Sequence, residues 1–542
     1  MVPGTMMDDY PLTLNRVFEQ TGRLFGENDI VSKLGDGTIH RCTYGDIYRR
    51  TLQLCNALTR LGVKSGDRVG TLCWNHYRHL ESYFAVPCVG GILHTLNLRL
   101  HPTDLAYIAG HAGDSVIIVD CSLLPILDQF KAELKSLRTV IVIDDGGETP
   151  DGYLDYETLI AAESDEFDYP EIDERQGAAM CYTSGTTGRP KGVVYSHRST
   201  TIHTFAACHP DALGVCEDDR ILTVVPMFHA NAWGIPHSAA MSGASLIFPG
   251  RDMAPESLLE MMQAEKATVA AGVPTIWNGI LAVLDDNPGR WDLSAIRMMV
   301  IGGSAVPPAM IEGFEKRHGI NVLQAWGMTE TNPLGTIART KRRMRNWDYK
   351  DRLGIRSTQG YPAPFVDMRH VDDDQNVLPR DGSSLGEVEV RGPWVVSHYY
   401  ENDDEADRFT PDGWFKTGDI GTLDADGYLR IADRSKDVVK SGGEWISSVE
   451  LENALMAHPA VAEAAVFAGI HPKWDERPLA AVVLRAGKTV TKEELATHLQ
   501  PNFAKWWLPD DYIFIDELPK TSVGKFKKTV LRELYGNHLV NS

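Results

Sequence analysis

The chain has 542 residues, 43% hydrophobic and 23% charged, with 53 Lys and Arg against 74 Asp and Glu for a formal net charge of −21. That much apolar material excludes a disordered chain and supplies more than one core. The negative field of the whole chain excludes nucleic-acid binding by bulk charge, so an anionic ligand has to be held locally, by oriented N–H groups, a few Lys or Arg, or a metal.

The first nine residues, Met1 to Asp9, lack the basic and apolar regions of a signal peptide. Residues 44–61 carry helical apolar spacing, with Thr43 as the expected N-cap. Residues 68–73, 115–120, 139–144 and 298–302 are short β-rich runs with amphipathic stretches between them, the pattern of parallel strands covered by helices. The longest apolar stretch, residues 84–93, is about half the length needed to span a bilayer and contains Pro87, so no membrane insertion is expected. All eight cysteines lie in the first 216 residues and none is spaced C-x-x-C, which signals neither a zinc site nor a disulfide framework and fits a reducing, cytoplasmic setting.

The texture changes after about residue 360. Residues 386–392 alternate like a half-buried strand, and 424–430 read as a turn leading into another. A charged joint, Asp433-Arg-Ser-Lys-Asp437, precedes a compact pattern: a helix over Ser448–Met456, strands near 462–467 and 480–484, and a helix over Lys492–Leu499. The expected fold is α/β, with a large N-terminal domain (residues 1–435) of mixed sheets and helices and a small, mobile α+β domain (residues 436–542).

The strongest local signal is Tyr182-Thr-Ser-Gly-Thr-Thr-Gly-Arg-Pro-Lys-Gly192. Gly185 and Gly188 free the backbone to reach positive φ and curl around an anion. Thr183, Ser184, Thr186 and Thr187 add hydroxyls, and Lys191 adds a point charge. A Walker A loop ends in Gly-Lys-Ser/Thr and runs into a helix. Here Pro190 precedes the lysine and Gly192-Val-Val-Tyr195 has β character, so the loop is expected to join two strands. By composition alone the same residues also fit a flexible surface turn.

Further motifs follow in order: Pro226-Met-Phe-His229, Gly302-Gly-Ser-Ala305, Ala325-Trp-Gly-Met-Thr-Glu330, Gly413-Trp-Phe-Lys-Thr-Gly-Asp419, the joint at 433–437, and Pro519-Lys-Thr-Ser-Val-Gly-Lys525. Trp326 offers a flat face for an adenine or acyl group, Gly327 permits close backbone approach, and Thr329 and Glu330 present oxygens to a hard cation. With the loop, this ordered set covers nearly the whole chain and resembles the adenylate-forming superfamily: acyl-CoA synthetases, nonribosomal-peptide adenylation domains and beetle luciferases.

The resemblance implies an ATP site made by Thr183, Ser184, Gly185, Thr186, Thr187, Gly188 and Lys191 of the loop, by Gly303, Ser304 and Ala305, by Gln324, Ala325, Trp326, Gly327, Met328, Thr329 and Glu330, and by Asp419, Arg434, Lys436 and Lys525. It implies Mg²⁺ on Glu330 and Thr183, an acyl pocket of His229, Trp233, Gly302, Trp326 and Pro333, and CoA beside Lys440, Ser441, Gly442, Gly443, Glu444 and Trp445. Lys525 would be the adenylation lysine, bridging the carboxylate and the α-phosphate, while the other lysines of that tail (Lys520, Lys527, Lys528) read as solvated charge. His229 would orient the thiol or gate its path; a lone histidine is otherwise a structural residue. Lys436 would be the hinge about which the small domain rotates between acyl-adenylate formation and transfer to the thiol, with release of pyrophosphate and then AMP.

Residues 329–334, Asn231-Ala-Trp233 and the basic run 339–345 resemble the medium-chain fatty-acid:CoA ligase branch, which includes 3-methylmercaptopropionate:CoA ligases. No carrier domain follows Lys525, which favours free CoA as the acceptor, and a homodimer is the expected assembly. The basic run reads either as a contact for CoA phosphates or a partner subunit, or as a solvated loop. Two other readings stay open: a luciferase-type oxygenase that shares the adenylation step, and a catalytically silent protein that binds acyl-CoA or nucleotide.

Overall fold

The computed structural model describes residues 4–7, 9–145, 147–183, 189–402, 406–435, 437–441, 444–521 and 526–541. A large N-terminal mixed α/β part carries three sheets, and a smaller α+β domain follows.

The first sheet has seven strands. Leu154–Asp155, Thr139–Ile143, Asp114–Asp120, Arg68–Leu72, Ile92–Thr95 and Gly177–Tyr182 lie side by side in that order, all parallel. Asp114–Asp120 is buried at every position, so its Val/Ile run shows no polar alternation. Gly192–Ser196 pairs antiparallel with Gly177–Tyr182, Tyr182 opposite Gly192. The glycine-rich segment therefore joins two strands, as its flanks predict.

The second sheet has nine strands. Asp29–Lys33, Ser245–Phe248, Arg220–Thr223, Val269–Gly272, Met298–Ile301 and Val322–Gly327 run parallel in that order. Ile39–Thr43 at one edge, and Leu334–Ile337 with Tyr361–Pro362 at the other, run antiparallel. One apolar core joins the two sheets through the helices between them. It includes Phe18 and Phe84 from helices, Val69 and Leu93 from the first sheet, and Leu246 and Phe248 from the second. The helix expected from Thr43 runs over Tyr44–Arg60. Thr43 Oγ1 accepts from Asp46 N at 3.2 Å, and the Asp46 carboxylate accepts from Thr43 N at 3.0 Å.

The third sheet is a four-stranded antiparallel unit, Asp367–Val371, Gly386–Arg391, Phe415–Leu423 and Leu429–Arg434, whose last strand leads into the small domain. There Val461–His471 and Asp475–Leu484 form a hairpin longer than its apolar patches suggest, with separate apolar clusters around Leu451 and around Leu531. Its helices Ser448–Met456 and Lys492–Leu499 match the expected bounds, because Ser447 and Thr491 cap them through Glu450 N and Glu494 N.

The basic run 339–345 divides: Arg342 and Arg345 are exposed, while other cations of the run contact the same chain. Arg339 Nε donates to Ala212 O at 2.8 Å, Lys341 Nζ donates to Asp426 O at 2.5 Å, and Arg343 pairs with the Asp426 carboxylate. Three of its cations thus tie the second sheet's edge to neighbouring turns of the same chain. Among the described residues no helix is long and apolar enough to cross a membrane.

Candidate active site

The C-terminal ends of strands Met298–Ile301 and Val322–Gly327 open on two adjoining cavities, of about 1000 and 430 Å³. This is where a parallel α/β sheet binds ligands. Both cavities share Gly303, Ala325, Trp326 and Gly327. A Cβ on Gly302 would sit 3.0 Å from Ala325 O and 3.3 Å from the Trp233 ring, so the glycine lets the indole and the neighbouring strand close in. A Cβ on Gly327 would overlap the Pro333 carbonyl oxygen, which makes glycine obligatory there. Ser304 and Ala305 border the smaller cavity. Gln324 does too, but its amide is engaged: Oε1 accepts from Val306 N at 2.9 Å and Nε2 donates to Thr358 O at 2.7 Å, bracing the 302–306 loop.

Asp419 and Arg434 are cross-strand partners in the third sheet. The buried Asp419 carboxylate accepts from Trp326 Nε1 at 2.9 Å and meets Arg434 Nε at 2.8 Å. That carboxylate pushes the Arg434 pKa up against the effect of burial and keeps the guanidinium charged. The resemblance placed Asp419 in the ATP site. The structure gives it two protein donors first, with the remaining lone pairs left for a ligand, and the Trp326 ring is thereby fixed in orientation.

Thr183 and Lys191 meet at the base of the glycine-rich segment: Thr183 N donates to Lys191 O at 2.9 Å, and Lys191 N donates to Thr183 Oγ1 at 3.1 Å. Lys191 Nζ lies over the Tyr399 ring, 5.4 Å from its centroid. Tyr399 OH donates to Glu330 Oε1 at 2.8 Å, and Tyr195 OH holds the preceding carbonyl, Thr329 O, at 2.7 Å. Glu330 is buried yet borders the larger cavity together with Thr183, Met328 and Thr329. One carboxylate oxygen is held by tyrosine, and the other oxygens of the pair fit a hard cation. Among the described residues no group of three or more His, Cys, Asp or Glu could hold a metal; Glu330 and Thr183 border one cavity with oxygens of the kind a hard cation takes.

His229, Trp233 and Pro333 also border the larger cavity. After His229 the backbone makes a left-handed turn with φ of 42°, 50°, 50° and 57° at Ala230, Asn231, Ala232 and Trp233. Such a conformation costs roughly 1–2 kcal/mol per residue with a side chain and persists only where packing over-determines it. Here the buried Asn231 Oδ1 accepts from Cys181 Sγ at 3.0 Å and Thr95 Oγ1 at 3.3 Å, and Trp233 packs on Gly302. Nothing in the sequence signalled this turn.

From the small domain, Lys520, Thr521, Phe526, Lys527 and Lys528 face the larger cavity. Lys528 corrects the expectation of a solvated tail: it is buried and paired with Asp433 and Glu452. The helical spacing of Lys528 and Leu531 carried that signal, since both share the inward face of Lys528–Tyr535. Tyr399 and Tyr195 were also missed, and no motif marks them. Among the described residues of the expected CoA hairpin, Lys440 and Ser441 border neither cavity; Ser441 Oγ accepts from Arg477 Nη1 at 3.2 Å and Lys440 N donates to Glu476 at 2.8 Å. Ser184, Gly185, Thr186, Thr187, Gly188, Lys436, Gly442, Gly443 and Lys525 lie outside the described residues, as do the side chains of Glu444 and Trp445.

Residues 18–400 match the family model for AMP-binding enzymes, and residues 450–525 match that for the AMP-binding enzyme C-terminal domain. The chain is 48% identical over 539 residues to the long-chain-fatty-acid–CoA ligase of Thermus thermophilus, covering 99% of this chain and 98% of that one. It is 42% identical over 540 residues to the 3-methylmercaptopropionyl-CoA ligase of Ruegeria lacuscaerulensis, covering 99% of each. The crystal structure of the anthranilate CoA ligase AuaEII in complex with anthranoyl-AMP superposes with a TM-score of 0.87 at 25% identity, over 99% of this chain and 100% of that one. A braced cavity at the strand ends, motifs in matching order and likeness over both domains agree: the chain belongs to the AMP-binding enzyme family, as an adenylate-forming acid–thiol ligase.

Proposed function

We propose that this ligase activates a short- or medium-chain carboxylic acid with an uncharged tail, 3-methylmercaptopropionate among them, and passes the acyl group to CoA. The observation that carries the reading is the apolar part of the larger cavity's lining, to which Ala207, Leu213, Val300, Leu334 and Trp233 contribute. His203 in the same wall is neutral at physiological pH, because burial, with repulsion from His237, pulls its pKa down to about 3. The side chains just named carry no charge to pair with a charged tail, and Trp233 and Pro333 limit the depth open to it. The two relatives, named for long-chain fatty acids and for a short thioether acid, support an aliphatic substrate and leave its length to the pocket.

The site residues divide the work as follows. The loop from Thr183 to Lys191 cradles the β- and γ-phosphates through its N–H groups, hydroxyls and lysine. The glycine turn at 302–305 and the Trp326 region flank adenine, and Asp419 takes the ribose diol. Mg²⁺ carried by ATP, held by Glu330 and Thr183, neutralises phosphate charge. Lys525 stabilises the charge that develops as the carboxylate oxygen attacks the α-phosphorus and pyrophosphate departs. The small domain then turns about Lys436, withdraws Lys525 and presents the hairpin at Lys440, Gly442, Gly443 and Trp445 to CoA, whose thiol attacks the carbonyl as AMP departs. His229 orients that thiol.

A panel of linear, thioether and dicarboxylic acids, scored by AMP release with CoA present, tests the substrate reading. Short and medium monocarboxylic acids should be preferred. One methylene changes discrimination by about 1–3 kcal/mol, so rates should fall stepwise once the pocket is filled. Preference for a dicarboxylic or a long-chain acid would contradict it.

A further inference from the structure

Lys528 opens the helix Lys528–Tyr535, three residues after Lys525. It is only 8% exposed. Its ammonium lies 3.2 Å from Asp433 Oδ2, 2.9 Å from Glu452 Oε1 and within hydrogen-bond reach of Ser448 Oγ. Burial alone would lower the Lys528 pKa, but the two carboxylates outweigh it and hold the ammonium charged. An isolated ammonium in that position would be costly, so the helix stays seated only where the carboxylates are.

The three partners do not belong to one body. Glu452 and Ser448 sit on the helix Ser448–Met456 of the small domain and travel with Lys528. Asp433 is on Leu429–Arg434, the last strand of the large part, beside the Arg434 that pairs with Asp419. Asp433 also accepts from Ser448 Oγ, and Ser447 Oγ donates to Ala432 O at 3.0 Å. These bonds cross the charged joint at 433–437 just where Thr521 and Phe526, which flank segment 522–525, face the larger cavity. Any turn of the small domain about the joint must separate Asp433 from Lys528 while leaving Lys528 on Glu452.

We propose that Lys528 is a positioning residue for the adenylation half-reaction: its pairing with Asp433 across the joint docks the small domain with Thr521 and Phe526 at the cavity, and release of that pair accompanies the turn to thiol transfer. The proposal rests on the two-step reading above. Lys528 touches no reacting atom in this role; it acts through the docking of the small domain.

The test uses the full chain with Asp433→Asn, Lys528→Met and Lys528→Arg. ATP–pyrophosphate exchange with a preferred acid reports adenylation, and thioester formation from preformed acyl-adenylate reports transfer. Asp433→Asn is isosteric and keeps the Lys528–Glu452 pair, so it stays folded even if Lys528→Met does not. Asp433→Asn should lower exchange about 10- to 100-fold, the range for losing one charge-assisted hydrogen bond, while transfer stays within about twofold. Lys528→Met should do the same, and Lys528→Arg should restore most of the exchange. Equal loss in both half-reactions, or undiminished exchange in Asp433→Asn beside normal exchange in the unaltered protein, overturns the proposal alone. Absence of exchange in the unaltered protein with every acid overturns the two-step reading, and this proposal with it.

Discussion

Two walls face each other across one cavity, and they are held by different means. The strand-end wall is pinned within the large part: Trp326 on Asp419, Asp419 on Arg434, Gln324 on Val306 and Thr358, and Gly327 pressed against Pro333. The small-domain wall meets it through a few polar contacts at one joint, Lys528 and Ser448 on Asp433 and Ser447 on Ala432. A wall braced by its own sheet is preorganised, so little ordering would remain if ATP binds there as proposed. A wall docked through one ionic joint can leave without disturbing the braced one. The contrast suits a ligase that makes an acyl-adenylate and then changes the group facing it.

The comparison breaks most sharply at the hairpin. Gly443→Trp should spare adenylation and abolish thioester output, because a bulky side chain there would block CoA; normal thioester formation would remove the proposed CoA contact from that turn. Lys525→Ala should lower adenylation at least about 10²-fold, the usual loss for a transition-state donor, while transfer from preformed acyl-adenylate largely survives. Equal damage to both steps would place Lys525 outside the mobile wall's adenylation role.

A stability measurement sharpens the account of the joint. Burial raises the Glu452 carboxyl to about 7, against an ordinary value of 4.5. A folded pKa above the unfolded one means that the folded chain binds the extra proton between those pH values. This contribution to stability is therefore full below about 4.5 and is lost as the pH rises through about 7. Glu452→Gln should flatten the decline in unfolding free energy across that window by at most about 3 kcal/mol; an unchanged slope would show that Glu452 titrates normally. The smallest expected effect lies on the fixed wall. Tyr399→Phe removes one hydrogen bond to Glu330, about 1 kcal/mol, and should weaken the Mg²⁺ dependence of adenylation roughly fivefold, with no change in transfer.

Sequence reasoning reached what local chemistry determines. The cap at Thr43, the helices begun by Ser447 and Thr491, and a glycine-rich loop between two strands all follow from residues a few positions apart. Residues from several of the ordered motifs border the two cavities, because each short string carries its own turn. What stayed hidden depends on partners far along the chain. The pairing of Ile30 with Leu246 closes the nine-stranded sheet across more than two hundred residues. Tyr399 reaches Glu330 from a stretch with no motif. The left-handed turn at 230–233 includes Ala230, Ala232 and Trp233, which have no preference for it, and Asn231, which tolerates it, is fixed there by Cys181 and Thr95 from two other segments. Lys528 was taken for surface charge because its carboxylates lie 76 and 95 positions away, at Glu452 and Asp433.

Isotope transfer tests the central claim most directly. A preferred acid labelled with ¹⁸O in both carboxylate oxygens is incubated with ATP, CoA and the protein, and the nucleotide products are weighed. Attack of the carboxylate on the α-phosphorus, followed by thiol attack on the carbonyl, leaves one labelled oxygen in AMP and none in pyrophosphate. Unlabelled AMP, or ADP with orthophosphate in its place, would contradict it.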